Sequence, residues 1–343
     1  MKKIADEIVI IFFLSAFVFI LEGCKDSNPV NNNPPCGGIG PLIVPEPPYN
    51  SPIWHPSGKF IGFNHTPLVS ITYPYGEGCW GAQHFRRDST GFWLINPDGT
   101  NMHRIFPYTL QTPAWSPDGQ WIAFSLPIGG DEVHIFKMRF NGNGFDTTSL
   151  VQLTSKGRNF FPDWSPDGQW IAYDRSLADS SGPGGIWVMR NNGTMKRSLF
   201  GGAFPDWHPN GNILIGAIGI SPMTAGTRFV RYDFSLSNVI DTLLAVGNDN
   251  RFPRYSPDET RIAFWSSSNL WIMDSTGGNL KQLTIQGVDV DFGLPFSWSP
   301  AGSSIVYTDY RSDDWGYDNG ILWILNTNTG EKKQLTFNLK PVN

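Results

Sequence analysis

Pro113-Ala-Trp-Ser-Pro-Asp-Gly-Gln-Trp-Ile-Ala-Phe124 returns almost letter for letter as Pro162-Asp-Trp-Ser-Pro-Asp-Gly-Gln-Trp-Ile-Ala-Tyr173. Weaker copies start at Pro52 (PIWHPSGKFIGF), Pro205 (PDWHPNGNILIG), Pro253 (PRYSPDETRIAF) and Phe296 (FSWSPAGSSIVY). The aromatic at the third position is therefore Trp54, Trp115, Trp164, Trp207, Tyr255 and Trp298, at spacings of 61, 49, 43, 48 and 43 residues. A period of this length marks a repeat architecture in which each unit is one supersecondary element.

The letters have a physical reading. In Ser116-Pro117-Asp118-Gly119, proline presets φ for the second position of a turn, aspartate suits the third, and glycine supplies a positive φ that closes a tight hairpin. The strand that follows alternates, with Ile122 and Phe124 on one face and Trp121 and Ala123 on the other. A second element trails each anchor: Gly91–Gly99 (GFWLINPDG), Gly185–Gly193 (GIWVMRNNG), Asn269–Gly277 (NLWIMDSTG) and Ile321–Gly330 (ILWILNTNTG). Units two and four diverge here, at Val133–Met138 and Phe229–Phe234. Three units close on Gln-Leu-Thr, at Gln152–Thr154, Gln282–Thr284 and Gln334–Thr336. Each unit reads as four short strands: anchor, Ile-Ala-Phe, Trp-Ile-Met and Gln-Leu-Thr. One such unit covers neither of its faces, so copies must stack, and a ring leaves only short protected edges.

This pattern resembles the WD40-like repeat of TolB-type β-propellers over roughly residues 49–337. The resemblance implies an all-β, six-bladed β-propeller of four-stranded antiparallel blades. TolB itself carries an α/β domain ahead of its propeller. Only about thirty residues separate Cys24 from the first anchor, so that domain is expected to be absent and a Tol–Pal role does not follow. The composition agrees with the repeat. Charged residues are 16% of the 343-residue chain, against about 25% in an average soluble protein, while there are 37 Gly, 27 Pro and 14 Trp. A formal charge of −5 and the lack of any Lys/Arg run longer than two argue against a nucleic-acid partner.

Ahead of the repeats, Lys2 and Lys3 precede an almost wholly apolar Ile8–Leu21, ending in Leu21-Glu22-Gly23-Cys24. The stretch has signal-peptide anatomy and is short for a membrane span. It resembles a bacterial lipoprotein signal in which Cys24 becomes the lipidated N-terminus, although Glu22, Asp6 and Glu7 depart from that pattern. The expected division is a signal peptide over residues 1–23, a disordered Asn/Pro-rich tether over 24–48 and the propeller over 49–343. The chain is then a monomer held by lipid to a bacterial envelope membrane, facing the periplasm or the cell surface. Cys36 and Cys79 form the remaining pair, expected as a disulfide in an oxidising compartment.

Catalytic signatures are missing from the sequence: no Gly-x-Ser-x-Gly elbow, no His-Glu-x-x-His, no phosphate loop and no dinucleotide fingerprint. His55 and His208 replace the serine of the turn and are read as turn caps. His65, His84, His103 and His134 show no ligand spacing. Candidate binding residues sit in the loops entering the anchors, which join the outer strand of one blade to the inner strand of the next and so reach one face. They are Arg158, Asn159, Asp249, Asn250, Arg251, Asp289 and Asp291. At the position before the anchor aromatic, Asp163, Asp206 and Arg254 would form a charged network in the channel, hold a cation, or brace strand ends. Loop polarity has two readings, a docking face or turn geometry with solvated charges. Two insertions break the repeat, Asn64–Thr90 with Cys79, Trp80 and His84, and Asp309–Asn319 with four Asp. No metal site and no cofactor are expected, though the Asp-rich insertion leaves Ca²⁺ open. The expected function is a non-catalytic binding or scaffold propeller for an envelope protein or carbohydrate. The alternative is an envelope polysaccharide lyase or hydrolase working at the channel mouth.

Overall fold

A computed structural model describes residues 48–72, 82–176, 182–219, 227–244, 246–247, 249–285, 295–309 and 321–337. Six four-stranded antiparallel sheets form a six-bladed propeller. The first blade runs Tyr49–Trp54, Ile61–His65, Gly91–Ile95 and His103–Phe106; the second Gln111–Trp115, Trp121–Gly129, Glu132–Phe140 and Phe145–Gln152. The third has Asn159–Trp164, Trp170–Arg175, Gly185–Arg190 and Arg197–Phe200; the fourth Ala203–Trp207, Ile213–Ile218, Arg228–Asp233 and Asn238–Leu244. The fifth has Asn250–Tyr255, Arg261–Ser266, Asn269–Asp274 and Lys281–Gln282; the sixth Ser297–Trp298, Ser304–Asp309, Ile321–Asn326 and Lys332–Gln334. The insertion in the first blade makes a separate hairpin of Leu68–Thr72 with Ala82–Phe85. Cys24, Cys36, Cys79, Asp289, Asp291 and all of the Asp-rich insertion beyond Asp309 lie outside the described residues.

The anchor turn works as its letters require. Ser116 Oγ accepts the Trp121 N–H at 2.9 Å and donates to Asp118 Oδ1 at 2.5 Å, while Asp118 Oδ1 also accepts the Gln120 N–H at 3.0 Å. Ser165, Asp167, Gln169 and Trp170 repeat this set in the third blade. His55 does replace the serine as a cap: its Nδ1 lies 3.2 Å from the Ser57 N–H, and its Nε2 reaches Gly119 O of the next blade at 3.1 Å. The alternating strand separates two cores as expected. Ile122 and Phe124 pack with Phe92 and Leu94 of the first blade, whereas Ala123 and Trp121 pack with Trp164 and Tyr173 of the third.

Gln-Leu-Thr is a strand terminator rather than a strand. The outer strands of the second, fifth and sixth blades stop at its glutamine. The leucine N–H then bonds back to the third strand, and the threonine hydroxyl accepts the N–H of Ile135, Leu270 or Leu322 at 2.8–2.9 Å. The glutamine amide closes on the threonine carbonyl. One buried residue thereby satisfies backbone that would otherwise be orphaned at the sheet edge.

Each blade is one contiguous stretch of chain, so among the described residues the ring closes without strand exchange. Closure rests on packing of Tyr49, Ile61, Phe63 and Ile95 against Val306, Leu322 and Leu335. Two hydrogen bonds add to it: Trp54 N–H to Ser297 Oγ at 3.0 Å, and Thr308 Oγ1 to Tyr49 O at 3.3 Å.

Candidate functional site

The first strands of the blades contact one another around the ring and line its channel. Each of these strands in blades one to five carries a bulge, where the register slips between the fourth and first residues before the anchor aromatic. The residue three before that aromatic takes a left-handed conformation in every one of the five: Ser51 (φ 50), Thr112 (φ 45), Phe161 (φ 51), Phe204 (φ 57) and Phe252 (φ 52). None is glycine and each precedes a proline, which itself bars the right-handed helical region. A left-handed non-glycine residue costs roughly 1–2 kcal/mol, and such strain persists only where packing imposes it.

Packing does impose it on one side of the channel. Phe161, Phe204 and Phe252 converge from blades three, four and five, with ring centroids 5.0, 5.2 and 4.1 Å apart. Phe161 and Phe204 stay half-exposed, so they form an aromatic floor facing the loops that enter the anchors. The opposite side carries the small hydroxyls of Ser51 and Thr112. Thr112 Oγ1 accepts the Phe161 N–H at 3.1 Å, and the Asp174 carboxylate accepts the Phe204 N–H.

Two residues along each of these three strands lies a charged layer. Arg254 Nη1 donates to Asp206 Oδ1 at 2.8 Å and Asp163 Oδ1 at 3.3 Å. The second oxygens are also committed: Asp163 Oδ2 accepts the Trp207 N–H at 2.8 Å, and Asp206 Oδ2 accepts the Tyr255 N–H at 2.7 Å. Each aspartate thus clasps the inner strand of the next blade, as Ser297 does for Trp54. Burial, then the neighbouring Asp206 charge, pushes Asp163 up to about 7 against the pull of Arg254 and the Trp207 N–H. Burial likewise raises Asp206, opposed by Arg254. Burial acts against the Arg254 charge too, but Asp206 and Asp163 hold it above its ordinary value. One guanidinium therefore serves two carboxylates, and the layer holds a proton readily near neutral pH.

The loop residues divide. Arg158 is half-buried with its guanidinium 5.9 Å over the Phe160 ring, and its Nε has no partner among the described residues. Asp249 and Arg251 pair at 2.6 Å at the entry to blade five. Asn159 and Asn250 instead turn inward and are buried. Asn159 Nδ2 donates to the carbonyls of Val133, Lys156 and Gly157, and Asn250 Nδ2 to those of Thr227 and Gly247. Among the described residues the expected loop ring is thus divided into rim groups and buried braces, while Asp163, Asp206 and Arg254 lie two residues deeper along their strands than the aromatic floor. The aromatic floor went unread, although Phe-Pro-x-aromatic recurs at Phe161, Phe204 and Phe252. Among the described residues no three His, Cys, Asp or Glu side chains converge as a metal site. No helix there is long and apolar enough to cross a membrane.

Together the ring, the aromatic floor and the inter-blade clasps define a six-bladed β-propeller. Its type is TolB-like. The fold matches the crystal structure of TolB from Acinetobacter baumannii with a TM-score of 0.58 and 21% identity, over 81% of this chain and 63% of that one. The putative TolB from Agrobacterium tumefaciens matches at 0.52 and 19%, over 74% and 87%. The tricorn protease matches at 0.57 and 13%, over 87% of this chain and 27% of its own. At these identities the likeness is one of fold. No protein-family model and no curated protein matches the sequence.

Proposed function

We propose that the protein is a non-catalytic docking propeller of a bacterial envelope, tethered by lipid on Cys24, that binds a protein through the channel face bearing the anchor-entry loops. One observation carries this reading: that face has the anatomy of an interface, an apolar aromatic centre of Phe161, Phe204 and Phe252 inside a polar rim of Arg158, Asp249 and Arg251. Protein interfaces concentrate their binding energy in such central aromatic and arginine residues, with the rim excluding water. Two large exposed apolar residues stand on the same face. Ile285 (90% exposed) and Phe337 (66%) each directly follow a Gln-Leu-Thr terminator.

The test is cross-linking in intact envelopes from a photoreactive residue at Phe160, comparing the unmodified face with a Phe204→Ser, Arg158→Glu double variant. A discrete adduct present with the first and lost with the second supports docking at this face. Identical adducts in both, or none, removes it. Anchoring is read separately, as palmitate labelling that disappears in Cys24→Ser.

A further inference from the structure

The gaps between adjacent blades are built from equivalent repeat positions, and among the described residues side chains of the chain itself occupy several of them. Between blades one and two, Phe140 packs on Phe60 (5.8 Å) and Trp115 (5.1 Å). Between blades three and four, Phe234 packs on Trp170 (5.2 Å) and Trp207 (5.0 Å) in the same way. Arg231 fills the next gap, held by Asp241 and bonded to Ser275 O at 3.0 Å. Arg261 fills the one after, over the Trp298 ring and bonded to Gly302 O and Thr327 Oγ1. Where blade six meets blade one, Ile324 and Trp54 each pack against the shared cluster of Ile61, Ile95, Val306 and Leu335.

The gap between blades two and three is different. Its repeat position for the filling side chain is Asn191. The backbone bond Asn191 N–H to Gln169 O matches those of Phe140 to Gln120 and Phe234 to Asn212. Asn191 is shorter than phenylalanine and folds back, its Nδ2 donating to Gly168 O at 2.7 Å. What remains is a groove of about 470 Å³ lined by Trp121, Trp164, Lys137, Asp118, Asp167 and Asn191, among others. The Lys137 ammonium lies 4.5 Å from the Trp121 ring and 5.8 Å from Trp164, with no anion in ion-pair reach among the described residues. Half-buried ammonium groups are stabilised by aromatic faces but still call for a counter-charge.

We propose that this groove is a binding site for an acidic saccharide, a site separate from the channel face and independent of it. A uronate lodges beside Trp121 and Trp164, with the Trp121 ring already holding the Arg139 guanidinium at 5.1 Å; its carboxylate pairs with Lys137, and its hydroxyls donate to Asp118 and Asp167. Those two carboxylates spend Oδ1 on their own turns. Their other oxygens are suited to hydroxyl donors, and they repel a second anion. The groove therefore fits a ligand carrying one carboxylate among several hydroxyls better than it fits an acidic peptide.

Titration calorimetry on the full-length protein uses trigalacturonate with one free carboxylate and its other two carboxylates methylated, the fully methylated neutral ester, and hexaglutamate as probes. The singly charged trigalacturonate is expected to bind and the neutral ester to bind at least tenfold more weakly. Lys137→Gln should weaken trigalacturonate by about 10- to 100-fold, the range of one hydrogen bond to a charged group. Asn191→Phe places in this gap the side chain found in its two neighbours, and should abolish binding while leaving the thermal midpoint unchanged or higher. Silence with trigalacturonate, tighter binding of hexaglutamate, or equal binding by wild type and Lys137→Gln overturns the proposal. Should Asn191→Phe fail to fold, Lys137→Gln and the ester decide it.

Discussion

Replacing Asp163 by asparagine should change how the stability of the propeller depends on pH, and the sign is fixed by the channel geometry. Asp163 and Asp174 are both pushed up to about 7 by burial, from an ordinary value of 3.8. Below that ordinary value both states of the chain hold the protons. Between it and about 7 the folded chain keeps protons that the unfolded chain has released, so stability falls as pH rises. Above 7 the loss is complete. Each pH unit of the window is worth about 1.4 kcal/mol per group, which sets a ceiling of about 4 kcal/mol for Asp163. Its side chain is 20% exposed, so channel water screens part of this. The unfolding free energy of Asp163→Asn relative to wild type should therefore rise by about 2–4 kcal/mol from pH 4 to pH 8. The amide also introduces a constant offset, because its nitrogen must face either the Arg254 guanidinium or the Trp207 N–H. Only the pH dependence of the difference is diagnostic. The exposed carboxylates Asp98, Asp146 and Asp233, held below their ordinary value first by Thr and Ser hydroxyls, lose their contribution as pH falls through their folded values. They are common to both proteins and cancel. Urea unfolding followed by tryptophan fluorescence at pH 4, 5.5, 7 and 8 measures the difference. Parallel curves for wild type and variant would refute the account of the buried triad.

Other outcomes follow from single contacts. Gly119 has φ +68 and an added Cβ would lie 2.4 Å from His55 Nε2, so Gly119→Ala should cost about 2–4 kcal/mol in chemical denaturation; near-native stability would show that the inter-blade cap is dispensable. Glu259 stands left-handed (φ 65) where other anchor turns use glycine, and Glu259→Gly should stabilise by about 1 kcal/mol in the same assay; a loss would contradict it. Ser297→Ala removes the acceptor of the Trp54 N–H across the ring closure. It should cost about 1–2 kcal/mol and speed hydrogen exchange at that amide, whereas unchanged exchange would place closure elsewhere.

The repeat made the blades legible because its chemistry is local. Ser-Pro-Asp-Gly specifies its turn from four neighbouring residues, and the alternation of Ile122, Ala123 and Phe124 specifies two faces. Where the outcome depended on a partner distant in sequence, in the same blade or another, the sequence was mute or misleading. Leu153 and Thr154 have strand-like character, yet they end the outer strand because Ile135 offers backbone groups for them to bond. Asn159 and Asn250 look like solvated loop polarity, but a buried carbonyl is as good a partner as water and three such carbonyls surround Asn159. Phe161, Phe204 and Phe252 belong to a residue type with no intrinsic leaning to positive φ. Their conformation is imposed by the bulge and the following proline, and each turns its ring toward two others from sequence-distant strands.

The channel is therefore not sixfold in its chemistry, although the ring is nearly so in its backbone. Blades three, four and five supply the aromatic floor and, two residues on, Asp163, Asp206 and Arg254. Blades six, one and two supply Ser297, Ile53 and Ala114 at that second level, with Ser51 and Thr112 at the first in blades one and two. The three phenylalanines meet on their own side of the ring, and the other side presents the smaller Ser51 and Thr112 at this level, with the Thr112 hydroxyl already bonded to the Phe161 N–H and near Ser125 Oγ. On the proposed docking reading, a partner side chain would lie against the aromatic wall of blades three to five, facing Ser51 and Thr112. Partner contacts should accordingly be lost on enlarging Thr112 as readily as on truncating Phe204, since one change fills the space and the other removes the wall.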